Sequence, residues 1–205
     1  LNGLSFASRS VAVAYNEVVV SLADRAGAER ALMRFGVTWG FIASGLLLLA
    51  VIDDLLRPMR PWEKMLLLLA AIAAWLAWAP HLQWLTVPGV GRVELGWWGW
   101  SLTVVWFFFF CNAFNFMDGI DGISGVEAAA IGFGSAGIMI FTEQQLDLGL
   151  FGLAIAGGGI GFLWWNWQPA KIFLGDVGSI PLGFLLGWLL VELAGRGMWA
   201  PALIL

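Results

Sequence analysis

The sequence has few charged residues and a single cysteine, and each shortage excludes a structural feature or a class of protein. Charged residues make up 12% of the 205 positions and hydrophobic residues 60%, whereas a soluble domain is usually about a quarter charged. The single cysteine, Cys111, excludes an internal disulfide. With a net charge of −4, no basic surface for nucleic acid is expected. The mean hydropathy of +0.86 therefore indicates an integral membrane protein.

Six apolar segments account for most of the chain. They run roughly over 35–52, 65–79, 97–117, 126–141, 148–165 and 180–195, each near or slightly under the ~20 residues that cross a hydrocarbon core. The runs are continuous, which disfavours a barrel, and helices are then the remaining way to satisfy backbone groups in lipid. We predict an all-α, polytopic transmembrane helical bundle with about six full spans and a truncated seventh.

The two ends of the chain are less regular than its centre. Residues 1–36 are given no role, and residues 37–205 are predicted to form the transmembrane core. The chain begins at Leu1 rather than methionine and ends in apolar residues 199–205, which we interpret as the start of a further helix. We therefore expect a piece of a longer protein.

Glycines recur at a spacing that predicts close helix packing. Gly157 and Gly161 are four residues apart, as are Gly183 and Gly187. Small residues at this spacing let two helix backbones approach each other. We expect both pairs to lie at helix contacts in a tight bundle.

Polar residues gather in three stretches at the edges of the apolar segments. The stretches are Asp53-Asp54, then Asn112-Ala-Phe-Asn115-Phe-Met-Asp118-Gly-Ile-Asp121-Gly, and then Asn166-Trp-Gln-Pro-Ala-Lys171-Ile-Phe173-Leu-Gly-Asp176. Counting crossings along the predicted spans places all three on one membrane face. Ionised groups there are costly unless water, a partner or a metal satisfies them, so this face is the candidate functional site.

The orientation of that face follows from the positive charges. It carries Arg57, Arg60, Lys64 and Lys171, against Arg92 and Arg196 in the opposite short loops. An excess of Lys and Arg marks the cytoplasmic side, although the arginines ahead of the first segment would then lie outside. His81, the single histidine, falls on the far side, so no catalytic role is expected for it.

Carboxylates gathered at one membrane face predict a bound cation. Oxygen ligands select hard cations, and Mg²⁺ typically takes one or two carboxylates plus substrate phosphates. Glycines beside the aspartates allow backbone N–H groups to approach phosphate oxygens. The residues therefore predict a Mg²⁺ site that handles a phosphorylated substrate. Simpler interpretations stay open: Asp53-Asp54 as a solvated helix end, Lys171 as an interfacial side chain, and Asn115 and Asn166 as helix caps.

The second and third stretches resemble the two signature motifs of the polyprenyl-phosphate N-acetylhexosamine-1-phosphate transferases (glycosyltransferase family 4). Asp53-Asp54 is similar to that family's first acidic motif, and the resemblance covers about residues 40–205. It implies transfer of an N-acetylhexosamine-1-phosphate or related sugar-1-phosphate from a UDP-sugar to a polyprenyl phosphate, giving UMP and a polyprenyl-diphosphate-sugar. The second motif is closer to the O-antigen branch than to the peptidoglycan branch, which implies a role in starting O-antigen or another cell-envelope glycan.

The resemblance also implies roles for the acidic residues. Asp176 matches the ligand of Mg²⁺, for which Mn²⁺ is an alternative. Asp53 and Asp54 match a pair proposed to bind or deprotonate the lipid phosphate. Asp118 and Asp121 match the central acidic motif that lines the nucleotide-sugar site. We therefore assign Asp53, Asp54, Asp118 and Asp121 as catalytic and Asp176 as the metal ligand.

Five further residues are implied to bind substrate. Asn115, Asn166 and Phe173 match positions near the nucleoside, with Phe173 placed to stack on uracil. Lys171 would neutralise the negative charge of the diphosphate. Asn112 is included as the first residue of the second motif. The implied partners are a polyprenyl phosphate, a UDP-sugar and membrane lipids, with no nucleic acid and with a homodimer left open. The implied location is the bacterial inner (plasma) membrane, with the site facing the cytoplasm.

Two departures from the family pattern leave alternatives open. The family carries a histidine-rich cytoplasmic motif beyond the helix that follows segment six, and this chain ends before that motif. Residues 1–36 also do not match the helices that the family usually has at its N-terminus. A catalytically incomplete remnant is therefore an alternative, and we expect this polypeptide alone to have weak or no activity. A cation transporter with interfacial aspartates is the less favoured alternative, since transport sites usually lie near the bilayer midplane.

Overall fold

The computed structural model describes residues 60–76, 82–87, 90–143 and 145–205. Several predictions lie outside these ranges: the first apolar segment, Asp53 and Asp54, His81 and the N-terminal segment 1–36. The described residues all belong to one structural unit, Ser44–Leu205.

Helices dominate the described part of the chain. Helix α1 spans Pro61–Leu76, α2 Trp97–Met117, α3 Ile123–Phe141, α4 Leu146–Asn166, α5 Gly175–Gly195 and α6 Trp199–Ile204. Four of them, α2 to α5, are long and apolar enough to cross a membrane, and α1 has 16 residues. The mostly helical architecture is thus confirmed with four candidate spans, and the count of six or seven stays a prediction.

A β-hairpin fills the connection between α1 and α2, where no element was predicted. Strand β1 (Trp84–Val87) pairs antiparallel with β2 (Gly91–Glu94), with Trp84 opposite Glu94 and Leu85 opposite Val93. Leu82 N–H donates to Thr103 Oγ1 at 3.1 Å, which ties the hairpin to α2. Four-residue strands are too short to be detected by counting membrane-length apolar runs.

The start of α5 differs from the prediction, in which the sixth apolar segment begins at residue 180. The helix begins at Gly175 and so includes Asp176 in its first turn. Glycine and proline in this stretch are typical of loops, but an acidic residue in the first turn is favoured by the helix dipole. Ser179 Oγ also donates to Gly175 O at 2.7 Å, inside the same turn.

Helices α2 and α5 pack through aromatic rings against small residues. The rings of Phe107 and Phe184 stack with centroids 4.6 Å apart, and both side chains are buried. A Cβ at Gly183 would lie 3.1 Å from Phe114 Cβ, and one at Gly187 would lie 3.2 Å from the ring of Phe110. The predicted close packing at Gly183 and Gly187 is confirmed.

Helices α3 and α4 make the other main contact, through a different set of small residues from the one predicted. No described atom lies within 4 Å of a Cβ built at Gly157 or Gly161, so the described residues show no close contact at that pair, and its role in packing stays a prediction. The contact instead uses Gly125 and Gly132 of α3 against Gly152 and Gly159 of α4. A four-residue spacing on one helix does not reveal which of its faces meets a neighbour, because the rotation of the helix is set by packing.

Replacing Gly132 with alanine is expected to destabilise the protein. The new Cβ would lie 2.7 Å from Gly152 O and 2.8 Å from Ala156 N, and these backbone atoms can give way only if α4 shifts. Overpacking of this kind costs about 1–3 kcal/mol. The midpoint of thermal unfolding in detergent micelles should therefore fall by roughly 3–10 °C.

Gly137→Ala is the matched control on the same helix, since no described atom lies within 4 Å of its Cβ position. Alanine has the higher helix propensity, so this variant should keep or slightly raise the midpoint. Equal midpoints for the Gly132 and Gly137 variants would contradict the close α3–α4 contact.

Candidate functional site

The second and third polar stretches meet at one end of the helix bundle. Gly175 N–H donates to Asp118 Oδ2 at 2.8 Å, and Ala170 N–H donates to Asp121 Oδ2 at 3.0 Å. These bonds join the turn between α2 and α3 to the loop between α4 and α5. The predicted placement of these two stretches on the same face is therefore confirmed.

Asp176 is the centre of a polar network on this face. Its Oδ2 lies 2.6 Å from the ammonium of Lys64, in the first turn of α1. Its Oδ1 accepts a hydrogen bond of 2.8 Å from Asn115 Nδ2. The same Asn115 Nδ2 donates a second hydrogen bond of 2.7 Å to Ser179 Oγ. Because the Lys64 and Asp176 side chains are 33% and 32% exposed, the pair can be reached from solvent. The contact also places the start of α1 at the same face.

Asp118 is the most buried acidic residue of the site, at 5% exposure. Its Oδ2 accepts the Gly175 N–H, whereas Oδ1 is buried and has no hydrogen-bond partner among the described residues. A buried charged oxygen without a partner is costly. The site therefore contains an acceptor that a cation or a donor from a substrate could satisfy.

Asn166 lies inside the protein and connects the two motif loops. It is fully buried, and its Oδ1 accepts the Gly122 N–H at 2.9 Å while its Nδ2 donates to Ile172 O at 2.8 Å. Gly122 has a φ of +78°, a conformation that glycine adopts without the steric cost of a Cβ. The amide of Asn166 thus makes internal bonds that position both loops.

The remaining predicted substrate residues are more exposed. The ammonium of Lys171 lies 5.6 Å from the ring centroid of Trp165, an arrangement that also suits the interfacial role left open for it. Phe173 is 45% exposed, so part of its side chain can be reached from solvent. Asn112 Nδ2 donates to Phe108 O at 2.6 Å, one turn back along α2. The structure thus brings Asn115, Asp118, Asp121, Asn166 and Asp176 into one network, with Asn112 bonded within its own helix.

Sequence reasoning missed two members of this network. In the sequence, Lys64 indicates only the orientation of the polar face, and Ser179 lies three residues beyond the third polar stretch, with no predicted role. A signal for Lys64 was present, because the predicted span beginning at 65 places it on the motif face. Nothing in the sequence shows that it faces Asp176 across 112 residues of chain.

The donor set of the site fits a hard cation. Within the described residues, no three His, Cys, Asp or Glu side chains are grouped as metal ligands. The buried Asp118 oxygen that has no partner among the described residues and the carboxylate of Asp176 are nevertheless oxygen ligands of the kind that Mg²⁺ prefers. Asp176 already binds a cationic group, the ammonium of Lys64.

Comparison with known proteins finds a matching family and several curated relatives. Residues 37–194 match the profile described as glycosyl transferase family 4. A phospho-N-acetylmuramoyl-pentapeptide-transferase of Latilactobacillus sakei subsp. sakei (strain 23K) is 39% identical over 129 residues, which cover 61% of this chain and 40% of the relative. The protein of the same name from Levilactobacillus brevis is 38% identical over 129 residues, covering 61% and 39%. That of Listeria welshimeri is 45% identical over 93 residues, covering 45% and 28%.

The chain spans at most 40% of the length of these curated relatives. Their bacterial sources and the four apolar helices indicate a membrane-embedded bacterial protein. The family match includes every residue of the polar network described above, and we conclude that the chain belongs to glycosyl transferase family 4.

Proposed function

We propose that this chain carries part of the active site of a transferase that moves a sugar-1-phosphate from a UDP-sugar to a polyprenyl phosphate and releases UMP. The observation that supports it most directly is the meeting of Lys64, Asn115, Asp118 and Asp176 at one end of four candidate membrane spans. Such a site can hold a phosphorylated headgroup at the membrane surface while an apolar tail stays in lipid. We propose that this face is cytoplasmic.

Charge neutralisation is the main task of the site, because a lipid phosphate must approach an anionic diphosphate. The ammonium of Lys64 and the backbone N–H groups at the start of α5 would bind phosphate oxygens. Asp118 and Asp176 would hold a Mg²⁺. When bound there, the ion would neutralise negative charge on the diphosphate and on the departing UMP. Asn115, bonded to both Asp176 and Ser179, would fix the orientation of the Asp176 carboxylate.

Asp53 and Asp54 retain their proposed role outside the described residues. A carboxylate of this pair would accept the proton of the lipid phosphate if that group arrives as a monoanion. Asp121 is held by the Ala170 N–H and is proposed to line the nucleotide-sugar site.

Two candidate donor sugars follow from different observations. The names of the relatives support a phospho-N-acetylmuramoyl-pentapeptide donor, whereas the residues of the second motif favour the O-antigen branch. We propose the muramoyl-pentapeptide nucleotide as the first donor to test and UDP-N-acetylglucosamine as the second.

Phe173 is proposed to stack on the uracil of the nucleotide. Stacking of a base on an aromatic side chain contributes about 1–3 kcal/mol, so Phe173→Ala should weaken binding of radiolabelled UMP by roughly tenfold or more. Phe116→Ala is the matched control. Phe116 is an exposed phenylalanine, at 85%, and it lies in the last turn of α2, the end of that helix that meets the site. Equal losses of UMP affinity in the two variants would contradict a specific stacking role.

The proposed reaction is tested with the purified chain in liposomes that contain undecaprenyl phosphate and Mg²⁺. Slow formation of labelled lipid-diphosphate sugar and UMP is expected, dependent on both the lipid phosphate and Mg²⁺. Binding of UMP without turnover would support the alternative of a catalytically incomplete remnant. Ion uptake into the same liposomes that Asp176→Asn abolishes, without nucleotide binding, would support the transporter instead.

A further inference from the structure

A cavity of about 300 Å³ lies between the β-hairpin and the end of α5. Gln83 and Trp84 line it from the hairpin, and Glu192 and Arg196 line it from the last turn and C-cap of α5. Since α5 has 21 residues, this end lies roughly 30 Å from Asp176 along the helix. The cavity is therefore on the opposite membrane face from the site described above and shares no residue with it.

The cavity places one cationic and one anionic side chain next to each other. Arg196 Nη2 lies 3.9 Å from Glu192 Oε2, beyond hydrogen-bond distance. Arg196 Nε is buried and has no hydrogen-bond partner among the described residues. The Arg196 side chain as a whole is 29% exposed, so the terminal Nη groups of its guanidinium, rather than the buried Nε, are the donors that a ligand in the cavity can reach.

The two charges together restrict the class of ligand. A simple anion would be attracted to Arg196 but repelled by Glu192, and a simple cation would be attracted to Glu192 but repelled by Arg196, since the two charges lie 3.9 Å apart. A group that carries both a phosphate and a primary ammonium satisfies both side chains, because guanidinium binds phosphate in a fork and carboxylate accepts from ammonium. We propose that this cavity binds a zwitterion of the phosphoethanolamine class.

The location of the cavity favours a lipid headgroup as the source of that zwitterion. Trp97 and Trp98, directly after the hairpin at the start of α2, are 90% and 74% exposed. Exposed tryptophans at the ends of membrane helices mark the headgroup level. The cavity beside the hairpin therefore lies where the phosphate and amine of a phosphatidylethanolamine molecule would be available.

The test compares lipid retention by the intact chain in native mass spectrometry. Phosphatidylethanolamine should bind at least about tenfold more tightly than phosphatidylcholine, whose ammonium has no N–H donor, or phosphatidylglycerol, which has no ammonium. Arg196→Gln and Glu192→Gln should each remove this preference. Glu143→Gln, just beyond the end of α3 at the same membrane face and outside the lining of the cavity, is the control that should retain it.

Several results would overturn the proposal. One is equal retention of the three lipids, and another is an unchanged preference for phosphatidylethanolamine in both cavity variants. A third is weaker retention of phosphatidylglycerol in Arg196→Gln with no change of lipid retention in Glu192→Gln, since this would indicate a site for a simple anion. Soluble O-phosphoethanolamine that binds as tightly as the lipid would overturn the assignment to a headgroup. If Arg196→Gln fails to fold, Glu192→Gln and Arg196→Lys carry the test, with the preference lost in the first and reduced in the second.

Discussion

Asp176→Asn is expected to lower sugar-phosphate transfer by at least about a hundredfold, the scale found when one group that stabilises transition-state charge is removed. Asparagine has nearly the same shape and can still accept the hydrogen bond from Asn115, so the network loses charge rather than volume. The lost charge is the one that binds Lys64 and is proposed to hold Mg²⁺. The rate of UMP release in the lipid-phosphate assay measures the effect.

The same substitution should have little effect on stability. The ion pair with Lys64 is about one-third exposed at both side chains, and exposed pairs contribute about 0–1 kcal/mol. The unfolding midpoint of the Asp176 variant should therefore stay within roughly 3 °C of the parent. A large fall in stability together with activity would indicate a structural role instead.

Asp147→Asn is the matched control for this prediction. Asp147 lies in the first turn of a helix of 21 residues, as Asp176 does, but it is exposed at the opposite membrane face. Both substitutions remove one negative charge near a helix N-terminus, where each costs a similar small amount. Only the Asp176 variant should lose activity, and equal losses would contradict the assignment of Asp176 to the site.

Asn166→Ala is expected to destabilise the protein by about 2–4 kcal/mol, since it leaves the buried Gly122 N–H without an acceptor and removes a bond to Ile172 O. The unfolding midpoint should fall by roughly 5–12 °C. Because Asn166 holds the turn that carries Asp121 and the loop that carries Phe173, UMP binding should weaken as well. Thermal unfolding in detergent and binding of labelled UMP measure the two effects.

Asn112→Ala provides the comparison for Asn166. Among the described residues, Asn112 donates only to Phe108 O within its own helix, a local bond that contributes little to helix stability. Its removal should change the unfolding midpoint by less than roughly 3 °C. If Asn166→Ala is as mild as Asn112→Ala, the bridge between the two motif loops is not important for stability.

Predictions from segment counting held where they depended on length and order. Asp118 and Asp176 come together because an even number of helices, α3 and α4, separates their two stretches, whatever the details of packing. The start of α5 was misplaced by about five residues because Gly175, Gly178 and Pro181 are typical of loops. The hairpin could not be predicted in this way, because its strands contain four residues each and are far shorter than an apolar run that crosses a membrane.

The sequence by itself determined the membrane environment, the shared face of the second and third motif stretches and the family. These follow from the number of apolar segments and from residue-specific motifs, both of which are properties of order along the chain. Only the tertiary structure decided that Lys64 binds Asp176, that Asn166 turns inward and that Glu192 and Arg196 line a second cavity. The physical reason is that the rotation of each helix about its axis is set by packing against helices distant in sequence, and that rotation selects which side chains meet.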